Sequence, residues 1–363
     1  MKLQVTQENL NHALSNVARV ASGRNTLPIL SNILLKTVGN RLTIAATNLD
    51  IAITHYIGSK ITTEGSITVP ARLMQEFVSS LPNGIISLNL DENKLHITTE
   101  QYQSVINGVS AEEYPVMPAI EKGQTLTIEA DILRRTLQQV IFAASSDESR
   151  PVLTGVHFGT QEGVLYVTAT DSYRLAEKIL TKTKQDVDLL IPANALSDLL
   201  RILPDANDTV DVLYDEQQVQ FRVGDVELVA RLIEGKYPDV RKLIPGEFST
   251  TATIKRNEFS NITKISSLFA RESAGSITLT VDSDTQSLSI RSIASQIGEN
   301  TANTTGVVSG DGNITLNSRY ILDALHAFSG EEIIFGFNGK LDPSVLRDPE
   351  DLSYTHIIMP LKS

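Results

Sequence analysis

Basic side chains are unevenly distributed along this chain of 363 residues, whose formal net charge is −12. Residues 9–49 contain no Asp or Glu but several arginines and a lysine. A second acid-free stretch, 132–146, carries Arg134 and Arg135. Arginines and lysines gathered on one face of a protein neutralise phosphate groups, so the local distribution matters more than the net charge. These stretches favour contact with nucleic acid; a chance distribution of basic residues is the alternative.

The residues that could perform catalysis do not form a catalytic pattern. The chain has no cysteine, which excludes disulfides, thiolate metal sites and thiol catalysis. No two histidines have the spacing of metal ligands, and the sequence has no G-x-S-x-G, Walker A or HExxH motif. Asp171 and Arg174 look like a site, but the similar stretch Asn48-Leu49-Asp50 favours a structural turn that recurs. We therefore expect no catalytic residue, metal or cofactor.

Three segments with one shared spacing must position the basic side chains. They read VPARLMQEFVSSLP (69–82), IPANALSDLLRILP (191–204) and LNSRYILDALHAFS (316–329). In each, apolar residues recur at i, i+1, i+4, i+5 and i+8, which predicts one face of an amphipathic helix. An acid recurs at Glu76, Asp198 and Asp323, and Arg319 matches Arg72.

Other segments repeat with the same period of about 123 residues, such as LTIAATNLDIAI, LYVTATDSYRLAE and LSIRSIASQIGE. That period is the size of a domain and far longer than a solenoid repeat. We therefore predict three copies of one domain, at 1–121, 122–246 and 247–363. Each copy alternates helix and strands, which predicts an α+β fold with mostly antiparallel sheets and two helices packed on one face of them.

Several motifs carry a resemblance to a known family. They are TLPIL (26–30), VPAR (69–72), ATDSYRLA (169–176), YPDVRKLIP (237–245) and IIMPL (357–361). In this order and spacing the chain resembles, over its whole length, the bacterial replicative sliding clamps, the β subunits of DNA polymerase III. The resemblance implies a non-catalytic DNA clamp: a head-to-tail homodimer that forms a closed ring, with sheets outside and helices inside.

The resemblance also implies what the ring encircles. Twelve helices, each about 10 Å wide, would leave a hole about 28 Å across, enough for double-stranded DNA. Contacts to phosphate would be independent of base sequence, so the ring would slide. We expect the DNA-binding residues to lie on the helices, except for Arg24, which lies in the loop after the first helix. They are Arg19, Arg24, Arg72, Arg134, Arg135, Arg201, Lys264 and Arg319. Solvated helix charges are the alternative, since Arg72 with Glu76 is an ordinary i,i+4 pair.

A pocket for partner peptides is implied between the second and third domains. The replicative polymerase's catalytic subunit, the clamp loader, and other polymerases and repair proteins would insert a short apolar motif there. We expect Arg174 to bind a peptide carbonyl at the rim, and core packing is the alternative for the apolar members. The expected pocket residues are Leu153, Thr170, Ser172, Tyr173, Arg174, Leu175, Pro238, Lys242, Leu243, Ser344, Ile357, Met359, Pro360 and Leu361.

The dimer contact is expected where Leu268 and Phe269 end the opening helix of the third domain. By resemblance they insert near the partner's strand at 102–108, which contains Gln103 and Val105. The first residues show no apolar targeting segment, and no apolar run is long enough to cross a membrane, so we expect a cytoplasmic location. An enzyme and a monomeric peptide-binding scaffold are the rival classes.

Overall fold

The structure is a computed structural model that describes residues 1–22, 27–203, 208–294 and 298–361. The helices are α1 (Gln7–Val17), α2 (Ala71–Ser80), α3 (Ala130–Val140), α4 (Ala193–Ile202), α5 (Arg256–Phe269) and α6 (Ser318–Ala327). The first strands are β1 (Lys2–Thr6), β2 (Asn32–Val38), β3 (Arg41–Thr47), β4 (Ile51–Gly58), β5 (Lys60–Thr63), β6 (Ser66–Pro70), β7 (Ile85–Asp91), β8 (Lys94–Thr98) and β9 (Gln103–Asn107). The middle strands are β10 (Gln124–Glu129), β11 (Gly155–Gln161), β12 (Val164–Thr170), β13 (Arg174–Lys182), β14 (Asp188–Pro192), β15 (Thr209–Tyr214), β16 (Gln218–Val223) and β17 (Val226–Arg231). The last strands are β18 (Thr250–Lys255), β19 (Ser276–Asp282), β20 (Ser287–Ala294), β21 (Gly298–Thr305), β22 (Val307–Ser309), β23 (Gly312–Asn317), β24 (Glu332–Phe337), β25 (Ser344–Arg347) and β26 (Tyr354–Ile358).

The helices form where the sequence predicts them and bury their apolar faces. The hydroxyl of Thr6 caps α1 by accepting from the backbone N–H of Asn9, and the side chains of Leu10 and Leu14 are fully buried. In α2 the side chain of Met74 is likewise fully buried. Burying a leucine or methionine side chain contributes about 1.5–3 kcal/mol, so the apolar face holds each short helix against its sheet.

The chain forms two compact units, and the first comprises Met1–Ile132 and Asn194–Leu232. It contains a five-stranded sheet in the order β5-β1-β7-β8-β9 and an eight-stranded sheet in the order β10-β15-β16-β17-β4-β3-β2-β6. In the eight-stranded sheet β4 pairs with β17, so a strand of the first repeat adjoins a strand of the second.

The second unit comprises Leu133–Ala193 and Ile233–Ser363. Its nine-stranded sheet has the order β14-β11-β12-β13-β26-β25-β24-β18-β22, and its four-stranded sheet the order β21-β20-β19-β23. Here β13 of the second repeat pairs with β26 of the third. Strands of successive repeats therefore pair across the expected domain boundaries within each unit. The boundaries themselves stay a prediction.

Candidate functional site

Most of the predicted pocket residues line one small cavity of about 190 Å³ in the second unit. Beneath it lies a buried cluster that includes Leu190, Tyr237 and Val345. The sequence interpretation missed Val240, although it lies in the YPDVRKLIP motif and could have been found there. The residues that line the cavity are Leu153, Thr170, Ser172, Arg174, Leu175, Pro238, Val240, Leu243, Ile357 and Met359.

A tight turn between β12 and β13 forms one wall of this cavity. The carboxylate of Asp171 accepts hydrogen bonds from the backbone N–H groups of Tyr173 and Arg174, each at 2.9 Å. The hydroxyl of Thr170 donates to the carbonyl of Arg174 at 2.6 Å and accepts from the N–H of Ser172 at 3.1 Å. Ser172 has a φ of 77°, in the left-handed region that side chains other than glycine seldom adopt. The side-chain hydrogen bonds hold this strained turn in place.

The Arg174 guanidinium already makes contacts within the protein, and its contact with a peptide carbonyl stays a prediction. Its guanidinium donates to the Asp171 carboxylate at 3.0 Å, to the Asp323 carboxylate at 2.6 Å and to the Phe142 carbonyl at 2.7 Å. It also lies 4.7 Å from the centre of the Tyr320 ring, and its side chain is 11% exposed. With three acceptors already bound, the guanidinium holds the wall of the pocket in place.

Five predicted pocket residues lie outside the lining of this cavity. Tyr173 points its side chain into solvent, while its carbonyl accepts from the N–H of Met359 at 2.8 Å. Lys242 is exposed and pairs with Asp239 at 2.7 Å.

Ser344 is fully buried and donates to the Ile358 carbonyl at 3.0 Å, because β25 and β26 pair there. Pro360 and Leu361 are half-buried beyond Met359, and the N–H of Leu361 donates to the Thr315 carbonyl at 2.8 Å.

A buried histidine lies close to Arg174. The imidazole of His356, on β26, stacks on the Phe142 ring with centroids 5.6 Å apart. Burial, with a smaller contribution from the Arg174 charge, lowers the pKa of His356 from 6.5 to about 3. The imidazole is therefore neutral at physiological pH, and it adds no second positive charge beside the guanidinium.

The predicted DNA-binding residues lie in different surroundings. Arg19 lies beyond the end of α1 rather than on it, and shares Asp198 with Arg201 of α4 at 3.8 and 3.1 Å. Arg72 on α2 is exposed and pairs with Glu76 at 2.8 Å.

On the other helices, Arg135, Lys264 and Arg319 are exposed, whereas Arg134 is half-buried. Arg24 lies outside the described residues.

The predicted dimer residues include exposed apolar side chains. Leu268 is 51% exposed near the end of α5, and Phe269 beside it is half-buried. Val105 is 53% exposed and Gln103 is exposed, both on β9, an edge strand of the five-stranded sheet.

A larger open groove of about 1000 Å³ lies in the first unit, beside Tyr56 and Val116. None of the predicted site residues lines it. The described part of the chain has no cluster of His, Asp and Glu arranged for a metal ion. Among the described residues, no helix is long and apolar enough to span a membrane.

Comparison with protein families matches almost the entire chain. Three family models match in order: the N-terminal domain of the DNA polymerase III beta subunit over residues 1–118, its central domain over 127–239 and its C-terminal domain over 241–362. A beta sliding clamp from Bacillus subtilis is 32% identical over 380 residues, covering 100% of both chains.

Solved structures agree with this assignment. The sliding clamp of Bacillus subtilis superposes with a TM-score of 0.95 at 30% identity, covering 100% of this chain and 99% of that one. A sliding clamp of Bartonella birtlesii, bound to griselimycin, has a TM-score of 0.95 at 26% identity, covering 100% of both chains. The predicted α+β clamp fold is thus confirmed, as is the prediction of a non-catalytic processivity factor rather than an enzyme. Matched over its full length, the chain belongs to the DNA polymerase III β subunit family, the β sliding clamps.

Proposed function

We propose that two copies of this chain associate head to tail into a closed ring around double-stranded DNA, and that the ring tethers the replicative polymerase through the apolar pocket. The proposal rests on a strand pairing between successive repeats, which occurs twice within the chain. In the described sheets, the third pair of corresponding strands has no partner on one edge.

The two pairings between successive repeats use the same register. In the first unit, Ala52 of β4 lies opposite Val229 of β17. In the second unit, Leu175 of β13 lies opposite Ile357 of β26. Ala52 and Leu175 hold equivalent positions, because each pairs with the last threonine of the preceding strand, Thr47 or Thr170. Each repeat therefore offers one strand to its predecessor and one to its successor.

The corresponding strands at the two ends of the chain are β21 and β9. Both are edge strands in the described sheets, and an edge strand presents unpaired N–H and C=O groups that can pair with another chain. Continuing the register places Val105 of one copy opposite Glu299 of the other, and Ser104 opposite Asn300. Each copy has one strand of each kind, so two copies satisfy both edges, as a closed head-to-tail assembly requires.

Exposed apolar side chains on α5 and α2 support the same contact. Leu268 is 51% exposed and Ile265, one turn earlier on α5, is 48% exposed. Leu73 on α2 is 51% exposed, although its counterpart Ala195 is fully buried. Burying such side chains against a second copy would contribute about 1.5 kcal/mol or more for each.

The ring would bind DNA by charge rather than by sequence. The candidate contacts are the basic residues of the helices named above, together with Arg24. Side chains that bind phosphates without reading base edges allow a protein to slide. The whole chain has a formal net charge of −12, so the surface away from these basic residues would repel the DNA backbone.

The apolar pocket is the proposed site for partners. Leucine, isoleucine and methionine make an adaptable lining that short apolar motifs of different proteins can share. The replicative polymerase, the clamp loader, and other polymerases and repair proteins are the expected partners. The Bartonella birtlesii clamp with bound griselimycin supports the presence of a ligand site on this fold. Such partners place the protein in the cytoplasm.

The oligomeric state tests this proposal. Leu268→Ala with Phe269→Ala removes apolar groups from the proposed contact, and such losses in a packed interface typically cost about 2 kcal/mol or more each. We expect folded monomers near 39.6 kDa by light scattering, against dimers of twice that mass for the wild type.

Leu341→Ala with Leu352→Ala is the matched control, since these leucines are 69% and 70% exposed and lie in the loops before and after β25, outside β9, β21 and α5. This variant should remain dimeric. A Leu268–Phe269 double variant that stays dimeric at micromolar concentration would move the interface elsewhere.

A further inference from the structure

A second concave site in the second unit lies on the helical side of Arg174. It is an open groove of about 410 Å³. One side comes from the end of α3 and the 3₁₀ turn after it, and the other from α6. The residues that line it are Gln138, Phe142, Arg174, Arg319, Asp323, His326 and Ala327.

The polar side chains of this groove are arranged for an anion. Arg319 and His326 are exposed and seven positions apart on α6, so both project on one face of the helix. Asp323 lies between them in sequence and would oppose an anion by itself. Its carboxylate, however, accepts from the Arg174 guanidinium at 2.6 Å, which offsets part of its charge, since the same guanidinium also pairs with Asp171. Gln138 is exposed and adds an amide donor from the facing helix.

We propose that this groove binds a phosphate group of the DNA backbone and that Arg174 couples it to the apolar pocket. The inference rests on the proposed function and adds to it a specific site with two residues, Gln138 and His326, that the sequence did not suggest. The coupling follows from the position of Arg174, whose side chain lines both cavities. One guanidinium thus holds the turn of the pocket through Asp171 and offsets part of the charge of Asp323 in the groove.

Replacing Asp323 with asparagine separates these two effects. Asp323→Asn keeps the shape of the side chain but removes a negative charge from the groove and the ionic acceptor from Arg174. The phosphate site should gain, so a fluorescent 20-base-pair duplex should bind at least about twofold tighter at low salt. The pocket wall should loosen, so a labelled pentapeptide with two leucines and one phenylalanine should bind about 2- to 30-fold more weakly.

The matched control is Asp198→Asn. Asp198 holds the equivalent position on α4 and accepts from Arg201 at 3.1 Å, but it lines neither the pocket nor the groove. This variant should strengthen duplex binding and leave peptide affinity unchanged. A general loss of stability in Asp323→Asn would weaken both ligands together, and affinities that move in the same direction would overturn the coupling.

The phosphate site itself is tested by salt dependence. Arg319→Ala and His326→Gln should each flatten the slope of log affinity against log salt for the duplex, by up to about one unit for the arginine and less for the histidine. Lys182→Ala, at an exposed strand end, should leave the slope unchanged. A wild-type protein without salt-dependent duplex binding would refute the proposed function. A wild-type slope retained in both variants would refute only the groove.

Discussion

Among the described residues, a turn of the first unit matches a turn of the second, and of these two only the turn of the second unit lines the pocket. In the second unit Asp171 accepts the backbone N–H groups that close the turn. In the first unit Asn48 does the same for Asp50 and Ile51, at 3.1 and 2.8 Å. The left-handed residues match as well, with φ values of 80° at Leu49 and 77° at Ser172.

The bonds to the neighbouring strand also match. The N–H of Arg231 donates to the Asp50 carbonyl at 2.9 Å, and the N–H of Met359 donates to the Tyr173 carbonyl at 2.8 Å. The two turns thus share a backbone frame, and the interpretation of Asp171 and Asn48 as residues of a recurring structural turn agrees with the geometry.

The difference lies in the side chains on this frame. Where the second unit has Arg174, the first has Ile51, which is buried. Where the second unit has Leu243, 51% exposed, the first has Ile120, 9% exposed. Met359 lines the pocket, whereas Arg231 faces solvent. The repeat thus supplies the scaffold, while a few substitutions determine whether apolar side chains are packed or left open to a ligand.

Removing the end of the chain should have the largest effect on the pocket. Deletion of 360–363 removes Pro360 and Leu361 and places a terminal carboxylate on Met359, which lines the cavity. An apolar peptide would have to desolvate that charge, so we expect its affinity to fall by about 100-fold, measured by fluorescence anisotropy. Stability should fall by only about 1 kcal/mol, because the described part of the deleted segment makes one backbone hydrogen bond, from Leu361 to Thr315.

Deletion of 362–363 alone is the control for this truncation and should preserve peptide binding. Peptide binding at wild-type affinity after deletion of 360–363 would place the partner site elsewhere. A truncated protein that unfolds would show instead that the tail is structural.

Shortening the equivalent side chains Leu243 and Ile120 should separate peptide binding from the stability of the fold. Leu243→Ala should weaken peptide binding about tenfold or more, and it should cost little stability because the side chain is half exposed. Ile120→Ala should leave peptide binding unchanged and destabilise the fold by about 2–4 kcal/mol, since Ile120 is packed. Fluorescence anisotropy measures the peptide affinity, and thermal melting measures the stability. The comparison would fail if Leu243→Ala mainly lost stability and Ile120→Ala mainly lost peptide affinity.

Acid should destabilise the two sheets in which successive repeats pair, because each contains a buried histidine. His55 on β4 has its pKa lowered to about 4 by burial, and His356 on β26 to about 3. Because the folded pKa lies below the unfolded value near 6.5, the unfolded chain binds more protons between these values. Stability is therefore fully present above pH 6.5 and falls with decreasing pH, by about 1.4 kcal/mol per pH unit for His356.

The melting temperature between pH 7.5 and 5.5 measures this loss. His356→Gln should reduce the pH dependence, and the exposed His326→Gln should retain it. An unchanged pH dependence in His356→Gln would show that the imidazole does not titrate as its burial requires.

Much of the fold was predictable because the sequence repeats. The apolar spacing of 69–82, 191–204 and 316–329 predicts α2, α4 and α6, each of which begins and ends two residues inside its segment. The end of α1 was less clear. Nothing in the local pattern stops a helix before Arg19, yet α1 ends at Val17 with Ala18 as its C-cap, and the buried Val20 begins a 3₁₀ turn.

The pocket was predictable from motifs only where side chains follow the repeat. Leu175 and Ile357 pack against the common frame, and the structure brings them together as expected. Ser344 and Lys242 depend on partners that motifs do not specify, a carbonyl across a strand pair and a nearby Asp239. Two of the three acceptors of Arg174, on Phe142 and Asp323, lie far from it in sequence, so only the folded chain reveals how its guanidinium is engaged.

The proposed mechanism is topological: the ring would stay on DNA because it is closed, not because it binds tightly. Its most direct test compares retention of the labelled protein on circular and linear duplex after a clamp loader has placed it there, with gel filtration at raised salt. We expect the protein to stay on circular DNA, and to be lost from the DNA during the gel filtration once a single cut has made the duplex linear. Equal retention on circular and linear DNA, or equal loss from both, would contradict it.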